Sequence, residues 1–416
     1  MADVQPLRAL HYDLERVGPL GDLAAPPYDV IDPAQRAELA ARSPYNVVEI
    51  DLPEGEDPYA HAAERFEQWQ REGVLVRDEE PALWALEQRY RGPDGEERTR
   101  RGFFARVRVE EYGPGRIRPH ERTHPGPKED RLRLTRATRA NLSPIFALYS
   151  DPAGGAYGAL AGATAQPPWG ELTDADGTHH SLWRCADPEA TATVQRSLEG
   201  AELLIADGHH RYETARVYAE EIGGEGDHRY VLMCLVALED PGLTIFPTHR
   251  LVGGLDERRR AALADAIERD FAAEAVTLER LAPPPGEGPL ELGYLDATGT
   301  SARLRLRDQA IADAALSDMP AAYRTLDTGV LEALLLKGAL ALSDDDISHL
   351  RGFGYARDTA EAARLVQSGR FDAAFLMRPT PVEQVREIAA AGVNMPPKST
   401  YFFPKLATGL VFNLLA

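Results

Sequence analysis

A short segment near the middle of the chain combines an apolar strand, a polar turn and a helix. Leu203 to Ala206 is an apolar run of strand length, Gly208 permits a tight turn, and Tyr212 to Ile222 has apolar residues at helical spacing. The residues around the turn are Asp207, His209, His210 and Arg211. Backbone N–H groups at the start of a helix point outward and favour an anion. The segment therefore predicts a phosphate-binding site.

The length and charge of the chain limit the class of protein. At 416 residues it is long enough for about two or three domains. Its formal net charge of −20 argues against a nucleic-acid partner, which requires a surplus of Lys and Arg. No apolar run approaches the roughly 18 residues that cross a membrane, and Met1 to Leu10 lack the pattern of a secretion signal. We therefore expect a cytoplasmic protein that binds neither membranes nor nucleic acid.

Apolar patterns predict the fold class. Residues 82–90 and 99–110 flank a turn rich in Gly and Pro and predict a β-hairpin or meander. Residues 230–238 are continuously apolar, as in a central strand covered on both faces, and residues 47–52 alternate like a half-buried strand. We expect an α+β or mixed α/β protein with a central mixed sheet, flanking helices and a C-terminal α/β region. The predicted regions are residues 1–150, 151–255 and 256–416.

A charged loop between residues 118 and 131 is a second candidate for a site. It concentrates histidines, acids and several cations within an otherwise acidic protein. Clustered cations favour a phosphate or carboxylate ligand, and a solvated surface loop with internal ion pairs is the alternative. The candidate residues in the loop are His120, Glu121, Arg122, Thr123, Lys128 and Arg131.

Three further places in the chain carry polar residues suited to a ligand. The first group lies near prolines, where ordinary turn chemistry is the alternative. The second ends a strand that follows the predicted central strand, a favoured place for a ligand. The third stands in a loop bounded by prolines that either binds phosphate or packs the C-terminus onto the core. The first group is Tyr28, Asp29 and Asn46. The second group is His249 and Arg250, and the third is Lys398, Ser399 and Thr400.

Five motifs are spread along nearly the whole chain. They are residues 25–30 (APPYDV), 43–48 (SPYNVV), 120–123 (HERT), 205–212 (IADGHHRY) and 395–401 (MPPKSTY). Together they resemble the motifs of the DUF1015 family of bacterial and archaeal proteins.

The turn from Asp207 to Arg211 carries a second resemblance. With the helix after it, the turn resembles the phosphate-binding box of the ParB/sulfiredoxin superfamily, most closely the form found in its free-serine kinases. In that box the glycine and the helix start contact nucleotide phosphates through backbone groups, and His and Arg do so through side chains. The resemblance implies phosphate binding by Gly208, His209, His210 and Arg211. It also implies that Asp207 binds Mg²⁺ or transfers a proton. The resemblance does not extend to the catalytic acid of these kinases, for which Glu121 and Asp29 are the candidates.

These residues predict a small-molecule kinase that binds ATP or ADP with Mg²⁺ and phosphorylates a hydroxylated metabolite such as free serine. Phosphoryl transfer requires mainly positioning and charge neutralisation, which a cluster of cations with a carboxylate supplies. The alternatives are a metal-assisted phosphatase or phosphodiester hydrolase and a non-catalytic nucleotide-binding regulatory protein. The sequence leaves the substrate, the phosphate donor and a homo-oligomeric state open.

The candidate residues are assigned to four roles. Catalysis is assigned to Asp207, His209, His210 and Glu121. Nucleotide binding is assigned to Gly208, His209, His210, Arg211, Arg122, Lys128 and Arg131. Substrate binding is assigned to Tyr28, Asp29, Asn46, His120, Thr123, His249, Arg250, Lys398, Ser399 and Thr400. Metal binding is assigned to Asp207. The kinase hypothesis requires these residues to meet in one cleft.

Overall fold

The computed structural model of the chain describes residues 2–92, 95–114, 116–121, 125–286 and 288–415. Over these residues the chain forms two compact units. The first is Met1–Thr244 together with Pro404–Ala416, and the second is Ile245–Phe403. The C-terminal residues thus return to the unit in which the chain begins. The boundaries predicted at residues 150 and 255 remain a prediction about domain organisation.

The first unit contains a large mixed β-sheet, as the sequence predicted. Up to residue 237 the strands are β1 (Val4–Gln5), β2 (Leu10–Tyr12), β3 (Leu75–Arg77), β4 (Leu83–Arg91), β5 (Glu97–Arg108), β6 (Ile117–Arg118), β7 (Ala140–Asn141), β8 (Ile145–Tyr149), β9 (Gly170–Thr173), β10 (His179–Cys185), β11 (Leu203–Asp207) and β12 (Tyr230–Ala237). The sheet order is β6-β11-β8-β12-β5-β4-β10-β9, and β1 pairs with β5. The β6–β11 and β8–β12 pairs are parallel, while the other neighbours in this order are antiparallel.

The predicted hairpin and the predicted central strand are both confirmed. Strands β4 and β5 pair antiparallel, and β12 lies between β8 and β5. The six residues from Val231 to Val236 of β12 are all buried. A strand covered on both faces has no solvent-facing positions, which explains why this stretch is continuously apolar.

Helices flank the sheet of the first unit. They are α1 (Leu14–Val17), α2 (Leu20–Leu23), α3 (Pro33–Arg42), α4 (Val48–Asp51), α5 (Pro58–Arg71), α6 (Pro125–Thr138), α7 (Gly155–Gly158), α8 (Ala161–Thr164), α9 (Pro188–Ser197) and α10 (His209–Ile222). Among the described residues of both units, none of the helices combines the length and apolar character needed to traverse a membrane.

One face of the sheet packs against α7, α9 and α10. The shared core includes Ile145, Ile205 and Met233 from the strands, with Val194 and Tyr212 from the helices, and all of these side chains are fully buried. Burial of large apolar side chains is the main stabilising contribution to such a core. The packing therefore fixes the end of β11 relative to the start of α10.

The segment predicted to be a strand at residues 47–52 is helical instead. Val48–Asp51 forms α4, and Asp51 N donates a hydrogen bond to Val47 O at 2.8 Å. Alternation over so few residues also fits a single helical turn, so the pattern did not discriminate between the two. The Asp51 carboxylate is buried beside Arg131, 80 residues further along the chain.

The second unit is built on its own α/β core, as predicted for the C-terminal region. Its strands are β13 (Thr244–Phe246), β14 (His249–Val252), β15 (Phe271–Ala275), β16 (Glu291–Asp296), β17 (Ser301–Leu306), β18 (Phe353–Ala356), β19 (Ala373–Leu376) and β20 (Tyr401–Phe403). Its helices are α11 (Glu257–Asp270), α12 (Gln309–Ala315), α13 (Ala321–Arg324), α14 (Asp327–Leu331), α15 (Asp344–Ser348), α16 (Thr359–Gln367) and α17 (Val382–Ala390), with a π-helix at Glu332–Ala339. The main sheet has the order β15-β17-β16-β19-β14-β18, and β13 pairs with β20. Back in the first unit, β21 (Asn413–Leu414) pairs with β7.

Candidate functional site

A glycine shapes the turn between β11 and α10. Strand β11 ends at Asp207 and α10 begins at His209, with Gly208 between them at a φ of 98°. A residue with a Cβ is strained in this left-handed conformation, and that Cβ would lie 3.0 Å from Arg211 Nε. Gly208 therefore lets the strand turn directly into the helix while the Arg211 side chain lies against the turn.

Two acceptors hold the Arg211 guanidinium in place. Nη2 donates to Asp207 Oδ2 at 3.1 Å, and Nη1 donates to Pro144 O. The Arg211 side chain is only 12% exposed. A fixed guanidinium adds its charge to the partial positive charge at the helix start, so the turn favours an anionic ligand.

Lys405 is a residue of this site that sequence reasoning missed. Its Nζ lies 3.5 Å from Asp207 Oδ1, the carboxylate oxygen opposite the one bound by Arg211. The Lys405 carbonyl accepts a hydrogen bond from Gln88 Nε2 at 3.0 Å, which fixes the backbone at this point. A lysine after a proline near the C-terminus carries no sequence signal for a site. Only the return of the C-terminal segment to the first unit brings it to Asp207.

The two histidines His120 and His209 form a buried pair beside the turn. His120 Nδ1 lies 2.8 Å from Ile205 O, so Nδ1 carries the proton and donates to the carbonyl. The backbone N–H of His120 donates to His209 Nε2 at 3.2 Å, so that nitrogen is an acceptor. His209 Nδ1 then bears the proton and lies 4.0 Å from Glu121 Oε2. The pair ties the start of the predicted charged loop to the start of α10.

Burial lowers the pKa of His120 and lowers that of His209 further, with the neighbouring His120 adding to the effect on His209. We therefore expect the protein to lose stability as the pH falls below about 6.5, the ordinary histidine pKa. Below this pH the histidines of the unfolded chain bind protons, whereas the buried pair in the folded protein stays neutral. For each proton bound only by the unfolded chain, the free energy of unfolding falls by about 1.4 kcal/mol per unit decrease in pH. Urea unfolding at pH 7.5 and pH 5.5 measures this slope.

His209→Gln keeps a hydrogen-bond acceptor without a titrating ring, so its acid-dependent loss should be smaller than that of the wild type. His349→Gln is the control, because the His349 side chain is 65% exposed. An unchanged slope in His209→Gln would show that His209 does not contribute to acid sensitivity.

A pocket opens beside Arg211, and a buried ion pair forms part of its wall. Arg131 Nη1 lies 3.2 Å from Asp51 Oδ1, and Ser143 Oγ donates to Asp51 Oδ2 at 3.2 Å. The ring of Tyr28 covers the guanidinium of Arg131, with its centroid 4.3 Å from Cζ. Burial raises the pKa of Asp51, and the charges of Arg131 and Arg211 oppose that rise. The pocket is lined by Tyr28, Asp51, Arg131, Leu134, Thr135, Ala140, Asn141, Leu142, Ser143, Arg211, Thr214, Ala215 and Val231.

Asn46 and Asp29 occupy different surroundings. Asn46 is fully buried; its amide nitrogen donates to Asp22 O at 2.8 Å, and its amide oxygen accepts from Val48 N at 3.1 Å. These bonds hold the segment that leads into α4. Asp29, the residue after Tyr28 in the sequence, is exposed.

The remaining candidates of the first unit are His210, Lys128, Arg122 and Thr123. His210 and Lys128 are partly exposed, and the Lys128 carbonyl accepts from Thr214 Oγ1 at 3.4 Å. Arg122 and Thr123 lie outside the described residues. The assignment of all four to ligand binding remains a prediction.

In the second unit, His249 and Arg250 are both buried on β14. His249 Nδ1 accepts from Met377 N at 3.1 Å, and burial lowers the pKa of His249 to about 4. Arg250 Nη2 donates to Pro397 O at 3.0 Å. Both side chains thus have partners within their own unit.

The loop of Lys398, Ser399 and Thr400 belongs to the same unit. Ser399 is buried, with Oγ 2.8 Å from Thr328 Oγ1 and donating to Pro396 O at 2.6 Å. Lys398 has a left-handed backbone, with a φ of 57°. Substrate binding by the candidates of this unit, and their meeting with the first unit's residues in one cleft, remain predictions.

Mg²⁺ was predicted to bind at Asp207. Among the described residues, no group of three or more His, Cys, Asp or Glu side chains is arranged to hold a metal ion. Mg²⁺ that is held mainly by substrate phosphates needs only one or two protein carboxylates. Asp207 fits that limited requirement, because it is a carboxylate in the site with a side chain that is 22% exposed.

Comparison with known proteins gives one extensive match. A family model described as "Protein of unknown function (DUF1015)" matches residues 4–329. No curated protein matches the chain.

Three solved structures show distant similarity. A conserved hypothetical protein from Pyrococcus furiosus is 13% identical with a TM-score of 0.34, and the alignment covers 69% of this chain and 86% of that one. A free serine kinase in complex with AMP is 12% identical with a TM-score of 0.35, covering 69% and 83%. SbnI with a C-terminal truncation from Staphylococcus aureus is 11% identical with a TM-score of 0.36, covering 74% and 81%. Similarity at this level does not indicate what the present chain binds.

Proposed function

The chain belongs to the DUF1015 family, and we propose that it is a nucleotide-dependent kinase of a small hydroxylated metabolite such as free serine. ATP or ADP is the proposed phosphate donor and Mg²⁺ the proposed metal. The observation that carries the proposal is the convergence of Arg211 and Lys405 on Asp207 at the N-terminal end of α10.

The proposed donor phosphates lie at the turn formed by Gly208. The helix start supplies backbone N–H groups, and Arg211 supplies a guanidinium already oriented by Asp207 and Pro144. Because these donors are held before the ligand arrives, little ordering is required on binding. The likeness of residues 207–211 to the phosphate-binding box of the ParB/sulfiredoxin superfamily supports this placement.

The proposed chemistry assigns the carboxylate of Asp207 to the acceptor hydroxyl or to Mg²⁺. A carboxylate that orients the hydroxyl and accepts its proton is a recurring part of phosphoryl transfer, and cations neutralise the charge on the transferred group. Arg211 and Lys405 flank Asp207 and supply such charge. Glu121 stands 4.0 Å from His209 and is the second candidate carboxylate.

One experiment separates the kinase from its alternatives. The protein is incubated with Mg²⁺, ATP or ADP, and a panel of hydroxylated amino acids and hydroxy acids, and phosphorylated products are sought by mass spectrometry. A phosphorylated product supports the kinase. Nucleotide binding without turnover would favour a regulatory protein, and phosphate release from phosphoserine without nucleotide would favour a phosphatase.

Arg211→Ala is expected to weaken ADP binding by about 10- to 100-fold, the range for a lost hydrogen bond to a charged group. Arg211→Lys keeps the charge but loses the forked geometry, so it should recover only part of the affinity. Isothermal titration with ADP measures both. Arg216→Ala, five residues further along α10 and paired with Glu213 at 3.2 Å, is the matched control and should bind like the wild type. Undiminished ADP binding by Arg211→Ala would refute the placement of phosphate at this turn.

A further inference from the structure

Strand β15 is an exposed edge of the six-stranded sheet in the second unit. The strand order places β15 (Phe271–Ala275) at one end of this sheet and β18 at the other. The four residues that follow Phe271 in β15 are all exposed, whereas three of the four residues of β18 are buried. β15 pairs with β17 over five consecutive residues without a register shift. One edge of the sheet is therefore a regular strand that is open to solvent.

The backbone of β15 presents hydrogen-bonding groups on its outer side. Val276 N donates to Ser301 O, directly opposite on β17, at 3.1 Å. Hydrogen-bonded and non-hydrogen-bonded pairs alternate along an antiparallel ladder, so the even-numbered residues of β15 are those that bond to β17. The N–H and C=O groups of Ala273 and Ala275 and the C=O of Phe271 therefore point outward. Within the part of the chain that the structure describes, no backbone group bonds to the outward groups of Ala273 and Ala275.

This edge lacks the features that normally prevent pairing with another chain. Common protections are lysine or proline in the strand, a β-bulge, or a helix or loop that covers the edge. The sequence of β15, FAAEA, contains neither lysine nor proline, and its pairing with β17 has no bulge. Its exposure shows that no described helix or loop covers it. A further strand can add to an edge of this kind through backbone hydrogen bonds.

The sequence of β15 favours a second copy of the same strand, in one register. Two copies related by a two-fold axis pair the same surface on both chains. An axis at Ala273 is the one register that pairs all five residues of both strands. An axis at Glu274 would set this carboxylate opposite its own copy, and like charges directly opposite each other are destabilising. An axis at Ala272 would leave Glu274 and Ala275 opposite residues of α11.

The charges on the polar face of the sheet fit the register centred on residue 273. Glu274 and Arg305 are exposed, and neither forms an ion pair among the residues that the structure describes. Glu291 lies opposite Arg305 on β16, but its ion pair, at 3.2 Å, is with Arg303. In this register the partner's Glu274 lies on one side of Ala272 and Arg305 on the other. The two charged side chains then approach each other over a methyl group, from Cα atoms roughly 10 Å apart, twice the strand spacing.

The other face of β15 is apolar and continues the core of the second unit. Phe271 is buried there beside Leu304, and Ala273 and Ala275 lie on the same face. In the register centred on residue 273, Ala275 lies opposite the partner's Phe271. The second copy therefore covers apolar groups that are exposed only because the sheet ends at β15.

We propose that two copies of the chain pair antiparallel through β15, with the two-fold axis at Ala273, and join their six-stranded sheets into one. The Ala273 N–H donates to the partner's Ala273 C=O, and the Ala275 N–H donates to the partner's Phe271 C=O. The axis repeats each of these bonds and each contact between Glu274 and Arg305. The dimer is independent of the proposed phosphoryl transfer, because β15 carries none of the residues assigned to it.

Sedimentation velocity of the full-length protein tests for the dimer. The concentration series runs from about 1 µM to about 1 mM, which spans moderate to weak affinities. We expect a species of about twice the chain mass of 45.6 kDa, whose share rises with concentration. A protein that stays monomeric over the whole series would overturn the proposal.

Ala273→Cys tests the position of the axis. Opposed residues of a hydrogen-bonded pair have Cα atoms about 5.5 Å apart, within the range of a disulfide, so oxidation with diamide should give a covalent dimer on non-reducing gels. Glu274→Cys is the matched control, because its two copies are diagonal neighbours about 7–8 Å apart and should not be joined. The native Cys185 and Cys234 are both buried and contribute little background. Equal cross-linking of both variants, or of neither, would contradict an axis at Ala273.

Charge reversal tests the contact between the two copies. Glu274→Lys and Arg305→Glu each set like charges together, so each should raise the dissociation constant of the dimer by about fivefold or more, since the axis repeats the repulsion. The double variant restores opposite charges and should recover most of the affinity. Arg258→Glu, an exposed residue at the opposite end of α11 from β15, is the control. A double variant that dimerises no better than the single variants would rule out this register.

Discussion

Arg131→Met is expected to lower the free energy of unfolding by about 3–5 kcal/mol, the range for removing one partner of a buried ion pair. Arg131 and Asp51 are both nearly inaccessible, with side-chain exposures of 8% and 6%. Without the guanidinium, the Asp51 carboxylate keeps its Ser143 hydrogen bond but loses the one ion pair that it forms among the described residues. Urea unfolding at pH 7.5 measures the loss.

The pH dependence of this defect identifies its cause. Burial already raises the pKa of Asp51, and removal of Arg131 raises that pKa further. A carboxyl with a raised folded-state pKa contributes stability at low pH that is lost as the pH rises, so the defect should be smaller at pH 5.5 than at pH 7.5. A defect of equal size at both pH values would point to lost packing instead.

Arg133→Met is the matched control for Arg131→Met. It lies on the same helix, its side chain is 58% exposed, and its pair with Glu129 spans 3.0 Å. Exposed pairs of this kind add little stability, so the control should unfold like the wild type.

Arg131 was also predicted to bind nucleotide, and its guanidinium is engaged by Asp51 and Asp130. ADP titration of a folded Arg131 variant tests that role separately.

Asp207→Asn is expected to reduce the proposed phosphoryl transfer by about 10²- to 10⁴-fold, the range for loss of a general base. The amide is nearly isosteric but neither accepts a proton nor carries charge. Arg211 and Lys405 then face the phosphates without an opposing carboxylate, so ADP binding in the absence of Mg²⁺ should be maintained or tightened. Product formation by mass spectrometry and ADP titration with and without Mg²⁺ measure these effects.

The Mg²⁺ titration distinguishes the two roles proposed for Asp207. If the carboxylate holds the metal, the variant should require a higher Mg²⁺ concentration; if it accepts the proton, the Mg²⁺ requirement should be unchanged while turnover falls. Glu220→Gln, an exposed acid on the same helix, is the control. Wild-type turnover by Asp207→Asn would rule out both roles.

Local patterns allowed much of the first unit's sheet to be predicted. The hairpin of β4 and β5, the central strand β12 and the β11–α10 segment each follow from apolar periodicity within a short window. The helix α10 starts at His209, earlier than the apolar spacing from Tyr212 indicated, because its first turn is polar. Boundaries of this kind are set by turn geometry at Gly208 rather than by hydrophobic pattern.

Sequence patterns did not predict the burial of residues whose contacts lie in distant parts of the chain. Asp51 lies in the segment predicted to be a half-buried strand, but its burial depends on Arg131 and Ser143, which come much later in the chain. Arg100 was not singled out, since an arginine in a predicted strand is normally exposed. Its burial depends on Gln88 and on the aromatic ring of Phe146.

By itself, the sequence determined a strand that turns through Gly208 into a helix and places Asp207 and Arg211 at the turn, because these features depend only on neighbouring residues. The tertiary structure alone decided that Lys405 meets Asp207, that His120 donates to Ile205 O, and that Asp51 is buried. Each of these contacts joins segments far apart in the chain. They form because the C-terminal segment and the helices pack onto one sheet. The free energy of that packing comes from the burial of apolar side chains from many parts of the chain, which cannot be predicted from a short stretch of sequence.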